Sequence, residues 1–451
     1  MKRATFSWWA LTALIGCGSA APTTEPEDPE LVVFEGEVDN TFVLAGEPSQ
    51  VVTHLRVTTR PLEGASRPSI NLALVVDTSG SMTGAPIDDA RRASLALLDA
   101  LGPDDRLTVV AFHSETEVLL PSTLLGGADL GALRGQIARM EARGTTDLAG
   151  GLRTGLEELV RHFEPQGINR LVLLSDGVPN DPSPILPLAQ AAGERGVRIT
   201  VLGLGLEYDE TLLGQIAQLS NGRFHFVDDS ARVAGVFRDE VLRFERLLAR
   251  DLVLELRPGP GVTIDGVVGQ PIATAGGGVQ IALGDLSEGE ERDVIVSLRA
   301  EPRRPGTTLE LMDAVLRFRD AVADAGPLER RVFVGARATE VASEIEAGRN
   351  AGVERTAERM RAAVTTVQAI ERARAGDVES ARLILDRAAA RAASVADRQG
   401  DDDLRAQASE MRALGDALPT LSAPPAAAPA EPASVIRRTH DSAMSVIQGS
   451  R

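Results

Sequence analysis

One cysteine, Cys17, stands in 451 residues, so no disulfide can form within the chain. Positive charge is in deficit as well. Lys and Arg number 47 against 65 Asp and Glu, giving a formal net charge of -18, which opposes binding to nucleic acid or to an anionic membrane surface. The five histidines, His54, His113, His162, His225 and His440, are scattered, with no spacing suited to zinc ligation or to a catalytic triad. His225 alternates with Phe224 and Phe226, the period of a strand, and reads as a strand residue. After the first sixteen residues no apolar run is long enough to cross a bilayer.

What is present begins at the N-terminus, where Lys2 and Arg3 precede an apolar run from Ala4 to Ile15. That pattern is a removable targeting segment, too short to span a membrane. Leu14-Ile15-Gly16-Cys17 resembles a bacterial lipobox, which implies a lipoprotein signal peptide over residues 1–16 and acylation of Cys17. Gly18 follows the cysteine where an aspartate often retains lipoproteins in the inner membrane. The resemblance therefore implies outer-membrane sorting in a Gram-negative envelope, with the protein on the periplasmic or outer face. Residues 17–30, rich in Pro, Thr and Glu, read as a flexible linker behind the lipidated cysteine. Contact with the membrane is expected through that anchor alone.

The motif with the most chemistry is Asp77-Thr78-Ser79-Gly80-Ser81, directly after the apolar run Leu72-Ala73-Leu74-Val75-Val76. Residues 77, 79 and 81 alternate in a tight loop, so one carboxylate and two hydroxyls can converge on a hard cation. A second apolar run, Leu171-Val172-Leu173-Leu174-Ser175, reads as a buried parallel strand and exits at Asp176-Gly177. An open α/β sheet delivers ligands at the carboxyl ends of its strands, which puts Asp77 and Asp176 on one edge. Gly144-Thr145-Thr146-Asp147 precedes a helical pattern and can add a loop hydroxyl there.

In order and spacing these segments resemble the metal-ion-dependent adhesion site of von Willebrand factor type A domains, over residues 69–248. The resemblance implies metal ligands Asp77, Ser79, Ser81, Thr146 and Asp176. It implies Mg2+ as the cofactor, with Mn2+ or Ca2+ as substitutes, and a protein partner whose carboxylate completes the metal shell. Thr145 competes for the threonine role, and the family pattern Gly-Gly-Thr-Asn/Asp-Leu aligns so as to favour Thr146. Thr145 itself stands where the family often has its second glycine. Ser175 is expected to lie outside the ligand set.

Two other readings start from the same loop. A strand-terminal aspartate can be the nucleophile of a metal-dependent phosphoryl-transfer enzyme of the haloacid dehalogenase type. That chemistry needs a second aspartate two residues on, and Ser79 stands there. Gly80-Ser81-Met82-Thr83-Gly84 also lacks the lysine of a phosphate-binding loop. The expectation is a binding protein, with no catalytic residue and no small-molecule substrate. A purely structural envelope protein is the remaining alternative.

The pattern along the chain predicts an α/β doubly wound, mostly parallel sheet, inserted in a β-sandwich and followed by a small α-helical region. The sandwich is expected from residues 31–66 plus 250–336, where short alternating runs lie between Gly and Pro. A closing helix of the α/β unit is expected over residues 231–250. Residues 338–418, rich in Ala, Arg and Glu, read as helices, broken at Gly376-Asp377 and Gly400-Asp401. Residues 419–451, opening with the Ala/Pro run around Pro424, are expected to be a flexible tail.

Overall fold

The computed structural model describes residues 30–61, 68–165, 167–206, 208–270, 273–275, 278–322, 325–422 and 430–449. Cys17, the lipobox and nearly all of the linker before residue 31 lie outside the described residues.

Three strands come first: β1 (Val32–Val38), β2 (Phe42–Leu44) and β3 (Ser49–Thr59). The α/β unit follows, as β4 (Ile70–Asp77), α1 (Ala85–Ala100), β5 (Arg106–Phe112), β6 (Thr116–Leu124), α2 (Leu130–Ile137), α3 (Leu148–Val160), β7 (Ile168–Ser175), α4 (Ile185–Glu194), β8 (Arg198–Leu204), α5 (Glu210–Leu219), β9 (Phe224–Val227) and α6 (Val233–Glu245). Its sheet has the order β6-β5-β4-β7-β8-β9, with only the β5–β6 pair antiparallel. Every residue of β4 and β7 is buried, as continuous apolar strands covered on both faces must be. Leu72, Leu74 and Val76 point into a core shared with α1, α2 and α6, while Ala73 and Val75 point into a core shared with α3, α4 and α5. Period-two alternation thus splits one apolar run between two layers.

Seven strands return to the sandwich: β10 (Leu247–Pro258), β11 (Val262–Val267), β12 (Ala273–Ala275), β13 (Gly278–Ser287), β14 (Glu291–Ala300), β15 (Thr308–Asp320) and β16 (Pro327–Thr339). The two sheets run β1-β3-β14-β11 and β12-β13-β10-β15-β16-β2, around a core that includes Val57, Leu254, Val296 and Leu316. β1 and β3 serve one sheet while β2 pairs with β16 of the other, so the N-terminal strands have no sheet of their own. The expected helix over residues 231–250 is shorter than read. It ends at Glu245, and Leu247 already begins β10, where Leu247 packs into the core of the α/β unit and Ala249 into that of the sandwich.

The helical region comprises α7 (Ala342–Ala347), α8 (Ala351–Arg374), α9 (Val378–Gln399), α10 (Asp402–Ala417) and α11 (Ala430–Ile447). Asp377 and Asp401 cap α9 and α10 by accepting from Ser380 N–H and Leu404 N–H, as the breaks at Gly376 and Gly400 predict. α11 corrects the expectation of a flexible tail over residues 419–451. Ala433, Ile436, His440, Ala443 and Met444 form its buried stripe, with Ile436 in the helical core and Met444 in the core of the α/β unit. Arg437 and His440 hide that stripe in the sequence, since both look like solvated groups and both are buried here. No helix among the described residues is long and apolar enough to cross a membrane.

Candidate metal centre

Asp77 is the last residue of β4, and its side chain is wholly shielded from solvent. Its Oδ1 accepts from Ser79 N–H at 2.9 Å and its Oδ2 from the Ser175 hydroxyl at 2.7 Å. Burial pushes the Asp77 carboxyl above the ordinary carboxylate range, and the Ser175 and Ser79 hydrogen bonds oppose that rise. Among the described residues Asp77 forms no ion pair, so a buried carboxylate is met by neutral donors only.

The loop after β4 makes a short 3-10 turn at Gly80–Met82, which brings Ser79 Oγ and Ser81 Oγ to 3.0 Å from one another. Ser81 in turn donates to Asp176 Oδ1 at 2.8 Å, joining the ends of β4 and β7. The third segment enters from the loop before α3. Its backbone is pinned by Gly80 N–H to Gly144 O at 3.0 Å and by Arg143 N–H to Thr78 O at 2.7 Å. Gly144 holds a φ of 70°, and a Cβ there would lie 2.5 Å from Ser114 Oγ, so glycine is required on two counts.

Thr145 and Thr146 diverge. Thr145 is exposed, and its hydroxyl lies 3.1 Å from Ser114 Oγ and accepts from Asn180 Nδ2 at 3.0 Å. Thr146 is buried and faces inward. A Cβ on Gly177 would meet Thr146 Oγ1 at 3.0 Å and Asp77 Oδ2 at 3.8 Å, so the two oxygens border one small space. Thr145 has no positive φ, and a threonine where the family has glycine therefore costs the loop nothing.

The structure thus brings together the side chains of Asp77, Ser79, Ser81, Thr146 and Asp176, two carboxylates and three hydroxyls from three loops at one sheet edge. That oxygen donor set suits a small hard divalent cation. A cation there would favour the charged form of Asp77, reversing the effect of burial. No cluster of three or more His, Cys, Asp or Glu side chains offers another metal site among the described residues. Sequence reasoning placed Ser175 outside the ligand set and gave it no role, whereas its hydroxyl holds Asp77 Oδ2. The available signal was its place at a strand's buried end beside Asp176, where a hydroxyl must find a partner.

The model of the von Willebrand factor type A domain matches residues 71–239. An uncharacterized Synechocystis protein is 29% identical over 276 residues, 58% of this chain and 65% of that one. The uncharacterized YfbK protein of Escherichia coli is 29% identical over 203 residues, 43% of this chain and 34% of that one. The matches therefore leave more than a third of each of these two relatives unspanned. A von Willebrand factor type A protein from Catenulispora acidiphila superposes with a TM-score of 0.69 at 19% identity, covering 92% of this chain and 97% of that one, which shows a shared fold. Domains of this family commonly mediate protein–protein interaction. Residues 71–239 are a von Willebrand factor type A domain, built into a β-sandwich and buttressed by C-terminal helices.

Proposed function

We propose that this chain is a non-enzymatic binding protein of the bacterial cell envelope, whose type A domain holds Mg2+ and takes a carboxylate of a protein partner on it. The observation that carries this reading is the convergence of four oxygen-bearing side chains, Ser79, Ser81, Thr146 and Asp176, around the buried Asp77 carboxylate, which has no counter-charge among the described residues. Asp77, Ser79, Ser81, Thr146 and Asp176 would hold the cation, and Ser175 would orient Asp77. Bound there, the cation supplies a positive charge that attracts a carboxylate in an otherwise acidic chain. Val178, 46% exposed in the loop after Asp176, gives the same edge an apolar contact for a protein surface. The lipobox around Cys17 supports anchoring to the outer membrane.

The test starts from protein lacking residues 1–29. Wild type is expected to gain about 2.7 kcal/mol of stability at a Mg2+ concentration one hundred times its Kd, reversed by EDTA. Asp77→Ala is expected to stay folded and to lose that gain. Partners captured in Mg2+ are expected to be released by EDTA and absent from Asp77→Ala. A folded wild-type protein with no Mg2+-dependent stabilisation would refute the metal site. Cys17→Ala in the full chain is expected to abolish palmitate labelling and outer-membrane fractionation, and soluble wild-type protein would refute the anchor.

A further inference from the structure

We propose that a second site, in the cleft where the base of the type A domain meets the sandwich, binds a multiply charged oxyanion. The cleft encloses about 310 Å³ and lies below the starts of β7 and β8, on the end of the sheet opposite Asp77 and Asp176. Arg170 and Arg195 line it from the type A domain, and Arg250 and Arg319 from strands β10 and β15.

Two of the three acidic groups lining the cleft, Asp285 and Asp251, are already paired with arginine. Asp285 is shared by Arg170 and Arg198, the latter at 3.7 Å, and it also accepts from Asp251 N–H at 3.0 Å. The Asp251 carboxylate lies 3.1 Å from Arg198, whereas the exposed Glu194 accepts only from the neutral Gln190 amide at 3.0 Å and keeps its negative charge, one carboxylate against Arg195 and Arg319. Arg250 donates to the Gly167 carbonyl at 3.2 Å. Arg195 and Arg319, both exposed, have no carboxylate partner among the described residues. In a chain of net charge -18, two such guanidiniums at the mouth of a cleft walled by two buried ones mark a local excess of positive charge. Planar guanidinium forks match phosphate and carboxylate oxygens two at a time.

The backbone is shaped here as well. Asp251 adopts a φ of 52°, rare for a residue with a side chain, where the β10–β15 register shifts between Arg250 and Val253. Bulges and strained residues of this kind gather at binding sites. The volume admits a phosphate ester or a small polycarboxylate. Because its arginines come from both units, the bound anion would fasten the type A domain to the sandwich.

The experiment titrates protein lacking residues 1–29 with inorganic phosphate, phosphoserine and citrate by calorimetry, at fixed ionic strength and in EDTA, so that the result is independent of the metal site. Chloride is the control. Binding of the phosphate compounds alone, or of citrate alone, assigns the class. Arg195→Ala and Arg319→Ala, both exposed and tolerable to the fold, are each expected to weaken binding about tenfold, the worth of one charged hydrogen bond. Arg319→Lys is expected to fall between, keeping the charge and losing the fork. Phosphate also stabilises proteins by exclusion, so a thermal shift counts only as the difference between wild type and the double variant. No calorimetric binding by any of the three anions, or equal affinity in wild type and the double variant, overturns the site.

Discussion

Acidification is expected to loosen α11 through His440. This imidazole is 1% exposed, stacked edge-to-face on Phe224 with ring centroids 5.2 Å apart, and its Cε1 lies 2.8 Å from where a Cβ on Gly214 would stand. Burial pushes its pKa down to about 4, with Glu210 of α5 pulling it up and Arg437 of α11 and Arg374 of α8 holding it down. Above pH 6.5 the ring is neutral in native and unfolded chains alike, and the stability is fully present. Between 6.5 and 4 the unfolded chain takes up a proton that the native one refuses, so stability falls as pH falls and the loss is complete below about 4. The difference between those two values corresponds to about 3 kcal/mol. Urea denaturation from pH 7.5 to 4, on wild type and His440→Gln, isolates the effect. Carboxyls raised by burial, such as Asp77 and Asp39, act in the opposite sense and are common to both proteins. The variant is expected to lose about 3 kcal/mol less than wild type over that range, with amide exchange in residues 430–447 rising first in wild type. Equal pH slopes would refute the reasoning.

Ser175→Ala, which removes the hydroxyl on Asp77 Oδ2, is expected to weaken Mg2+ binding about tenfold with the fold intact, as calorimetry would measure. Thr146→Ala is expected to weaken the metal at least as much and Thr145→Ala to leave it nearly unchanged, since only Thr146 faces Asp77; the reverse order would reassign the ligand. Glu210 is wholly buried, bonded through both oxygens to Arg374 and 3.8 Å from Arg437. Burial alone would raise its carboxyl, and Arg374, with Arg437, instead holds it below the ordinary range. Glu210→Gln strands the buried Arg437 and is expected to cost about 3–5 kcal/mol in chemical denaturation.

The motifs, the strand exits and the order of elements were legible in the sequence because each is written in consecutive residues. A run such as Leu72 to Val76 can be satisfied only by a strand covered on both sides, and Asp77-Thr78-Ser79-Gly80-Ser81 can only turn where that strand ends. The loop before α3 was legible as a pattern, but the choice between Thr145 and Thr146 needed the structure, because neighbouring side chains point apart and either could have faced in. Ser175 escaped for a related reason: its partner, Asp77, lies 98 residues away in sequence and one strand away in the sheet. The final helix was the least legible element. Arg437 donates to Tyr208 O at 2.9 Å, and Asp441 and Gln448 accept the free N–H groups of Phe226 and Phe224 along the sheet edge. Sequence composition marks such residues as solvated, and only the tertiary fold supplies the distant charges and open strand edge that allow them to be buried.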